Sequence, residues 1–324
     1  MKRIGTSYLE FLTDDFGIWQ HSDGQEIDRT QGYALDDSAR ALLAAVELGR
    51  TDLATVYISF IERACSGEGA VNFYTAERQP WDRPWSPDAL AECYWALAYA
   101  ISHDVEAARC RRIIAGAIYP RLYELRQWLR ASSYLLIGAV LIDQPLAEQV
   151  TEELLSQFRP HLGSSWPWPE QTITYANAML PMALLEAQRL LGIDEAGEAG
   201  VEVLHFLNSI CLLPNHVQLI GNDGWYPKGG TCALFGQQPI EAGYSCLACL
   251  SAYSVTNNPE WRDIAGRYLG WFWGSNSAGE PLINAQRESV ADGIDAAPRG
   301  ISPNAGSENI VCYLLAQERY FKSL

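Results

Sequence analysis

Apolar residues recur along almost the whole chain with the period of an amphipathic helix, and runs with the alternation typical of a strand are few. The pattern predicts about twelve helices and therefore an all-α protein. The predicted helices span residues 3–13, 36–49, 51–65, 87–101, 104–125, 130–143, 146–158, 174–192, 194–212, 239–255, 258–274 and 305–321.

Short and long connections alternate between these helices. Tight turns such as Gly49-Arg50 and Gln144-Pro145 join the helices in pairs, whereas most connections between the pairs are long. The helix after each such connection is the more apolar one, as in SYLLIGAVLI, and its partner carries more charge, as in LAEQVTEELLSQFR. The long connections span residues 14–35, 66–86, 159–173, 213–238 and 275–304, and only 126–129 is short.

Six apolar helices that alternate with six amphipathic ones predict two concentric layers, with the apolar set inside. We therefore expect residues 1–324 to form one (α/α)6 toroid domain. Its long loops would lie on one face, at the N-terminal ends of the inner helices. An open solenoid of helix pairs is the structural alternative.

Composition narrows the classes of partner. The formal net charge is -16 and the pI is about 4.7, which argues against nucleic-acid or anionic-membrane partners because both need a basic surface. The N-terminal segment lacks a continuous apolar core, and no apolar run is long enough to span a bilayer, so we expect a cytoplasmic protein. Cys246 and Cys249 form a C-x-x-C within a helical pattern, and we expect free thiols, no metal and no cofactor.

The loops before the apolar helices are rich in acids, amides and tryptophans. Each acid alone could cap a helix, and Asp36 and Arg40 could be a surface pair. Capping does not explain the tryptophans, which are costly to expose unless they pack or bind something. Glycoside hydrolysis needs two carboxyl groups, and converging acids differ in pKa because they repel one another. A carbohydrate site at these loops is therefore predicted.

The residues that would form this site come from all six junctions. The candidate catalytic carboxyl groups are Asp37, Asp88, Glu170, Glu241 and Glu308, with Asp292 as a further acid. The candidate substrate-binding residues are Asp36, Arg40, Trp85, Trp168, Tyr175, Asn177, Trp225, Tyr226, Gln237, Gln238 and Asp292.

The segments DDSARALLAA, SWPWPEQTITYANAMLPMALLEA, GNDGWYPKGGTCALFGQQPIEA and GSENIVCYLLA resemble a family of bacterial six-hairpin (α/α)6 proteins. Members are sometimes fused to, or encoded near, glycosyltransferases and mannoside-processing enzymes. More distantly, the chain is similar to the six-hairpin glycosidase superfamily. The resemblance implies acidic catalysis on an oligosaccharide or glycoconjugate, and a glycosyltransferase encoded nearby as a partner. The chain departs from the family pattern at Gly236 and Ala176, where an acid is usual.

Three functions fit these observations. A glycoside hydrolase fits the acids and tryptophans, and a non-catalytic glycan-binding protein fits the departures at Gly236 and Ala176. Another toroid enzyme, such as a sugar epimerase or a polysaccharide lyase, is the third. Epimerases of this shape rely on histidines in the barrel. The pattern places His103 at a turn on the wrong face and His205 on an outer helix, whereas His161 and His216 lie in long loops and stay open as candidates.

Overall fold

Two layers of helices build the protein. The computed structural model describes residues 2–66, 70–81, 85–296 and 300–324. In chain order the helices are α1 (Ser7–Leu12), α2 (Leu35–Glu47), α3 (Thr51–Ala64), α4 (Pro87–Ser102), α5 (Ala107–Ile113), α6 (Leu122–Leu125), α7 (Leu129–Ile142), α8 (Gln144–Phe158), α9 (Met179–Leu191), α10 (Asp194–Cys211), α11 (Pro239–Thr256), α12 (Pro259–Phe272) and α13 (Ser307–Lys322).

The inner layer is a closed ring of α2, α4, α7, α9, α11 and α13. Each of these helices packs against the next, and α13 returns to α2. They are apolar on nearly every side, and α4 is buried continuously from Ala89 to Ile101. The outer helices bury one face only, as α8 does with Val150 and Leu154. The predicted (α/α)6 toroid is confirmed, and the solenoid alternative is wrong because the ring closes.

The N-terminal ends of the inner helices share one face with the long loops, and we call this face the mouth. Its helices begin at Leu35, Pro87, Leu129, Met179, Pro239 and Ser307. Three two-stranded ribbons stiffen the loops: β1 (Tyr33–Ala34) with β2 (Phe73–Tyr74), β3 (Thr172–Ile173) with β4 (Tyr226–Pro227), and β5 (Ile283–Asn284) with β6 (Ser289–Val290). The first two ribbons each join loops that precede two different inner helices, so neighbouring loops support each other.

The start of α9 differs from the prediction. The helix expected from residue 174 begins at Met179, because Thr172 and Ile173 pair with β4 and Ala176 has a φ of 47°. A residue in this left-handed conformation cannot continue a right-handed helix. Tyr175 and Asn177 therefore lie in a mouth loop.

The helix predicted over residues 104–125 is also interrupted. After α5 the chain widens into a π-helical turn at Ile114–Ile118 and then tightens into a 3-10 turn at Tyr119–Arg121. Pro120 explains the break, because proline has no N–H to donate and its ring clashes with the preceding turn.

Three parts of the mouth loops lie outside the described residues, namely 67–69 and 82–84 before α4 and 297–299 before α13. In the parts of the chain that are described, no helix combines the length and apolarity that crossing a bilayer requires.

Glu47, the last residue of α2, joins the first inner helix to the last. Its buried carboxylate accepts hydrogen bonds from Lys322 Nζ at 2.6 Å and from Arg319 Nε at 3.0 Å, and also from the Tyr99 hydroxyl of α4. Burial alone would raise its pKa, but the two cations prevail and lower the pKa of Glu47 to about 2. The ionised carboxylate therefore stabilises the closure of the ring.

We predict that Glu47→Gln lowers the free energy of unfolding at pH 7 by about 2 to 4 kcal/mol, because it removes the buried negative charge that pairs with Arg319 and Lys322. Since the folded pKa lies below the ordinary value of 4.5, the stabilisation is present above that pH and is lost as the pH falls toward 2. Chemical denaturation at several pH values measures the effect.

The control is Glu10→Gln, which removes an exposed partner of Arg50 and should cost less than about 1 kcal/mol. Equal losses for the two variants at pH 7, or a Glu47→Gln effect that does not shrink in acid, would contradict this account.

Candidate active site

Arg40 gathers carboxyl groups from three inner helices at the mouth. Its Nη1 atom lies 2.9 Å from Glu308 Oε2 on α13 and 3.4 Å from Asp37 Oδ1, and Nη2 lies 3.5 Å from Asp36 Oδ2. The edge of the guanidinium formed by Nη2 and Nε also faces Glu92 on α4. Nη2 donates to Glu92 Oε1 at 2.9 Å, and Nε lies 2.7 Å from Glu92 Oε2. We call these five residues the Arg40 cluster. It brings together three predicted residues, Asp36, Asp37 and Glu308, around a fourth, Arg40.

The pKa values of the cluster reflect burial. Burial raises the pKa of Asp37 well above its ordinary value, and the adjacent Asp36 carboxylate raises it further. Burial also raises the pKa of Glu308, and that of Glu92 to about 8, against the opposing effect of Arg40. One guanidinium thus faces four carboxyl groups, and the raised pKa values favour retention of protons by some of them near neutral pH.

Aromatic rings enclose the cluster on the side away from solvent. Trp95 follows Glu92 by one turn on α4, and its ring is stacked with that of Tyr134 from α7 at 6.1 Å. Tyr244 from α11 lies 6.3 Å from each of the other two rings. All three side chains are buried, and the Tyr244 hydroxyl has no hydrogen-bond partner among the described residues.

Another predicted acid, Asp88, lies at the start of α4, near the aromatic rings of Tyr175 and Trp225. Its Oδ2 atom accepts a hydrogen bond from the Tyr175 hydroxyl at 2.7 Å, and burial raises its pKa. The Tyr175 side chain is 44% exposed, and its ring centre lies 6.5 Å from that of the partly exposed Trp225. These two rings are available to stack against a ligand.

Glu170 is tied into the protein by Arg130. The two Glu170 oxygens accept hydrogen bonds from Arg130 Nη1 and Nη2, both at 3.0 Å. Arg130 also donates to the Tyr175 carbonyl oxygen at 2.6 Å and to Thr174 Oγ1 at 2.8 Å. The bidentate pair occupies both carboxylate oxygens, so Glu170 holds the loop before α9.

Glu241 is likewise engaged with that loop. Its Oε1 atom accepts a hydrogen bond from the Ala176 N–H, and its Oε2 atom accepts from the Asn177 side chain at 3.0 Å and from the Asn177 N–H at 3.3 Å. Burial raises the pKa of Glu241 to about 7, although these donors oppose the shift. Glu241 therefore fixes the left-handed backbone at Ala176 with the help of Asn177, whose side-chain oxygen is buried without a hydrogen-bond partner among the described residues.

Three further predicted residues, two of them fully buried and one half-buried, pack within the mouth loops. Trp168 is fully buried, so neither face of its ring is open to a sugar. Gln237 is also fully buried, and it binds the Leu219 N–H and the Leu234 carbonyl. Tyr226 packs against the Trp166 ring at 5.4 Å and pairs in β4. These side chains build the loops.

The remaining predicted residues lie at the rim. Gln238 is the partly exposed N-cap residue of α11, and Trp85 carries the Arg121 guanidinium 5.1 Å from its ring centre. Asp292 accepts hydrogen bonds from the Gly306 N–H at 2.7 Å and from the Asn309 side chain, both at the start of α13. It thus supports the turn that presents Glu308.

The candidate residues predicted from the sequence do not include all the residues of this region. The sequence pattern places Glu92 one helical turn after Asp88 on the same stripe of α4, but Glu92 is not among the predicted acids. His21 lies 3.8 Å from Asp292 and lines a cavity of about 520 Å³. The cavity is bounded by His21, Ser22, Asp23, Glu26, Ile27, Asp28, Gln31 and Asn304. No periodic signal marks this loop.

The sequence matches no family model and no curated protein. Among solved structures, the chain is similar to D-mannose isomerase, with 12% identity over 98% of this chain and 96% of that chain, at a TM-score of 0.72. It is similar to the cellobiose 2-epimerase of Bacillus thermoamylovorans, with 11% identity over 97% and 96% of the two chains, at a TM-score of 0.72. It is also similar to an α-mannanase of Bacteroides thetaiotaomicron, with 6% identity over 98% of this chain and 95% of that chain, at a TM-score of 0.63. These proteins share the (α/α)6 toroid fold of this chain, as the sequence pattern predicted.

We predict that Arg130→Met lowers the free energy of unfolding by about 2 to 4 kcal/mol, because it leaves the Glu170 carboxylate and two loop oxygens without their donor. The change should also free Tyr175 from its place beside Asp88. Chemical denaturation measures the first effect, and protection of the amides of residues 170–177 in hydrogen exchange measures the second.

Arg126→Met is the matched control, because Arg126 makes a similar but more exposed pair with Glu153 on the outer layer. It should cost about 1 kcal/mol or less and leave exchange in residues 170–177 unchanged. Equal costs at the two arginines would show that the inner pair is not special.

Proposed function

We propose that the protein is a glycoside hydrolase that acts at the mouth of the toroid. The observation that carries the proposal is the convergence of Asp37, Asp88 and Glu308, whose pKa values are all raised, at the starts of three inner helices. Hydrolysis of a glycosidic bond needs one protonated and one ionised carboxyl group, and environments that separate pKa values supply both.

The surroundings suggest a role for each acid. Glu308 lies 2.9 Å from Arg40 and is partly exposed, which suits the ionised base or nucleophile. Asp37 and Asp88 are the candidates for the general acid, because burial favours their protonated forms. Tyr175 and Trp225 would stack against sugar rings of an oligosaccharide or glycoconjugate. The similarity in fold to an α-mannanase is consistent with this chemistry.

A sugar isomerase or epimerase is the second candidate, and the TM-scores favour it. D-mannose isomerase and cellobiose 2-epimerase both reach 0.72, against 0.63 for the mannanase. Such an enzyme would use a histidine as its base, and His21 beside Asp292 is placed at the mouth for that role. His103 caps the opposite end of α4, and His205 stacks on Trp261 in the outer layer.

Incubation with manno-, gluco- and glucurono-oligosaccharides, and with free mannose and cellobiose, separates the candidates. Proton NMR of the anomeric region follows each mixture. New reducing ends are the expected result. Conversion of mannose or cellobiose without cleavage would favour the isomerase, and calorimetric binding of a glycan that stays intact would favour a non-catalytic binding protein.

We predict that Glu308→Gln and Asp37→Asn each reduce kcat on the hydrolysed substrate by about 100- to 10,000-fold, because each removes a proton-transfer group. Initial rates of sugar release measure the loss. Glu77→Gln, which changes an exposed acid in the loop between β2 and α4, is the control and should retain the full rate. If kcat of the Glu308→Gln variant is within ten-fold of that of the unmodified protein, which corresponds to a change of at most about 1.4 kcal/mol in the activation barrier, Glu308 does not take part in the mechanism.

A further inference from the structure

The two edges of the Arg40 guanidinium face different partners. One edge, Nε and Nη2, meets the two oxygens of Glu92 at 2.7 and 2.9 Å. The remaining nitrogen, Nη1, points to Glu308 and Asp37 at 2.9 and 3.4 Å. A planar guanidinium held along one edge has a fixed orientation, so the position of Nη1 depends on Glu92.

Glu92 has few other interactions to explain its presence. It is 2% exposed. Among the described residues its Oε1 atom accepts a hydrogen bond from Arg40 Nη2 at 2.9 Å, whereas its Oε2 atom and Arg40 Nε form an ion pair at 2.7 Å whose geometry is not that of a hydrogen bond. Burying a carboxyl group is costly unless it is well paired, and an apolar residue would fill this place at lower cost. Since Glu92 is covered by the ring cluster of Trp95, Tyr134 and Tyr244, it has no contact with the mouth solvent through which a substrate would arrive.

We propose that Glu92 is a positioning residue that acts through Arg40: it holds the guanidinium so that Nη1 stays between Asp37 and Glu308. By keeping a cation at this place, Glu92 limits how far burial raises the pKa of both acids, and so sets the pH range in which they exchange protons. The kinetic part of this proposal rests on the proposed hydrolase function, whereas the orientation of Arg40 and its effect on Glu308 do not.

Charged or titratable groups on five of the inner helices lie close enough to affect the pKa values of the Arg40 cluster. They are Asp36 and Asp37 on α2, Asp88 on α4, Tyr134 on α7, Tyr244 on α11 and Cys312 on α13, with His21 and Asp292 from the mouth loops acting on Glu308. Arg40 is the cation common to Asp37, Glu92 and Glu308, so its displacement should dominate any change in their titration.

The first test is Glu92→Gln, followed by carbon-13 NMR titration of the labelled carboxyl groups, with Glu308 assigned by its own Glu308→Gln spectrum. The amide presents an N–H to one Arg40 nitrogen and cannot hold both. We expect the pKa of Glu308 to rise by about one unit or more, because Nη1 moves away. A lowered or unchanged pKa of Glu308 would overturn the proposal.

Glu186→Gln is the matched control for this titration. Glu186 is also a buried glutamate on an inner helix, paired with Arg189 and Ser251, but it lies outside the Arg40 cluster. Its substitution should destabilise the fold to a similar degree and leave the pKa of Glu308 unchanged. A shift of Glu308 in this variant as well would show that the effect is a general loosening of the ring and would overturn the assignment to Glu92.

The second test is kinetic and applies to the substrate identified by sugar release. Glu92→Gln should lower kcat by about ten- to a hundred-fold, keep KM within about two-fold and move the acidic limb of the rate profile to higher pH. A variant with raised KM and an unshifted profile would contradict a positioning role. If no sugar is released by the unmodified protein, the hydrolase proposal fails, and the titration still decides the role of Glu92.

A double substitution keeps the test valid if Glu92→Gln folds poorly. Arg40→Met with Glu92→Met replaces the buried ion pair by apolar side chains, a change that is often tolerated or stabilising. If Glu92 acts through Arg40, the double variant should have the kcat of Arg40→Met alone. A further loss that multiplies with the first would mean that Glu92 acts independently, and would overturn the proposal.

Discussion

The mouth of this protein depends on one buried cation shared by carboxyl groups of three inner helices. Without Arg40, the acids of α2, α4 and α13 would be left with uncompensated charge in an environment that disfavours ionisation. With it, the acids remain close together and their protonation becomes interdependent. The same contacts that hold α2 against its neighbours therefore also influence the protonation of the acids on which the proposed hydrolysis depends.

A second group of interactions shapes the loop between α8 and α9. Arg130 holds its backbone near Tyr175, and Glu241 holds Ala176 and Asn177. Together they place the Tyr175 hydroxyl against Asp88, so a residue from one side of the ring completes the site on another. Acids that sequence reasoning grouped as catalytic thus divide into two classes. Some face the mouth, and others support the loops that line it.

The helical layers could be predicted from the sequence because burial on all sides or on one side leaves a direct record in the apolar pattern. The loops could not, because their conformations are set by partners distant in sequence. Nothing near Trp168 or Trp225 indicates that the first ring is buried and the second partly exposed. The first turn predicted for α9 failed for the same reason, since Glu241 stabilises a left-handed residue that the local pattern would make helical.

The two departures from the family pattern have a shared physical basis. Gly236 has a φ of 73°, and a Cβ there would lie 1.9 Å from the Asn222 side-chain oxygen, so an acid does not fit this loop as it is folded. Ala176 also has a positive φ and is held by Glu241. The left-handed backbone at these two positions is therefore part of how the mouth loops are built.

Closure of the ring by Glu47 has a consequence for how the chain assembles. The contacts of Glu47 with Arg319 and Lys322 join residues at opposite ends of the sequence, so they form only when the intervening helical pairs are in place. An incomplete ring has two open edges, each an apolar helix face without its neighbour. These two faces can pack against each other within one chain or between two chains. If closure between α13 and α2 is slow, we expect two copies to exchange helical hairpins instead of each forming a closed monomer.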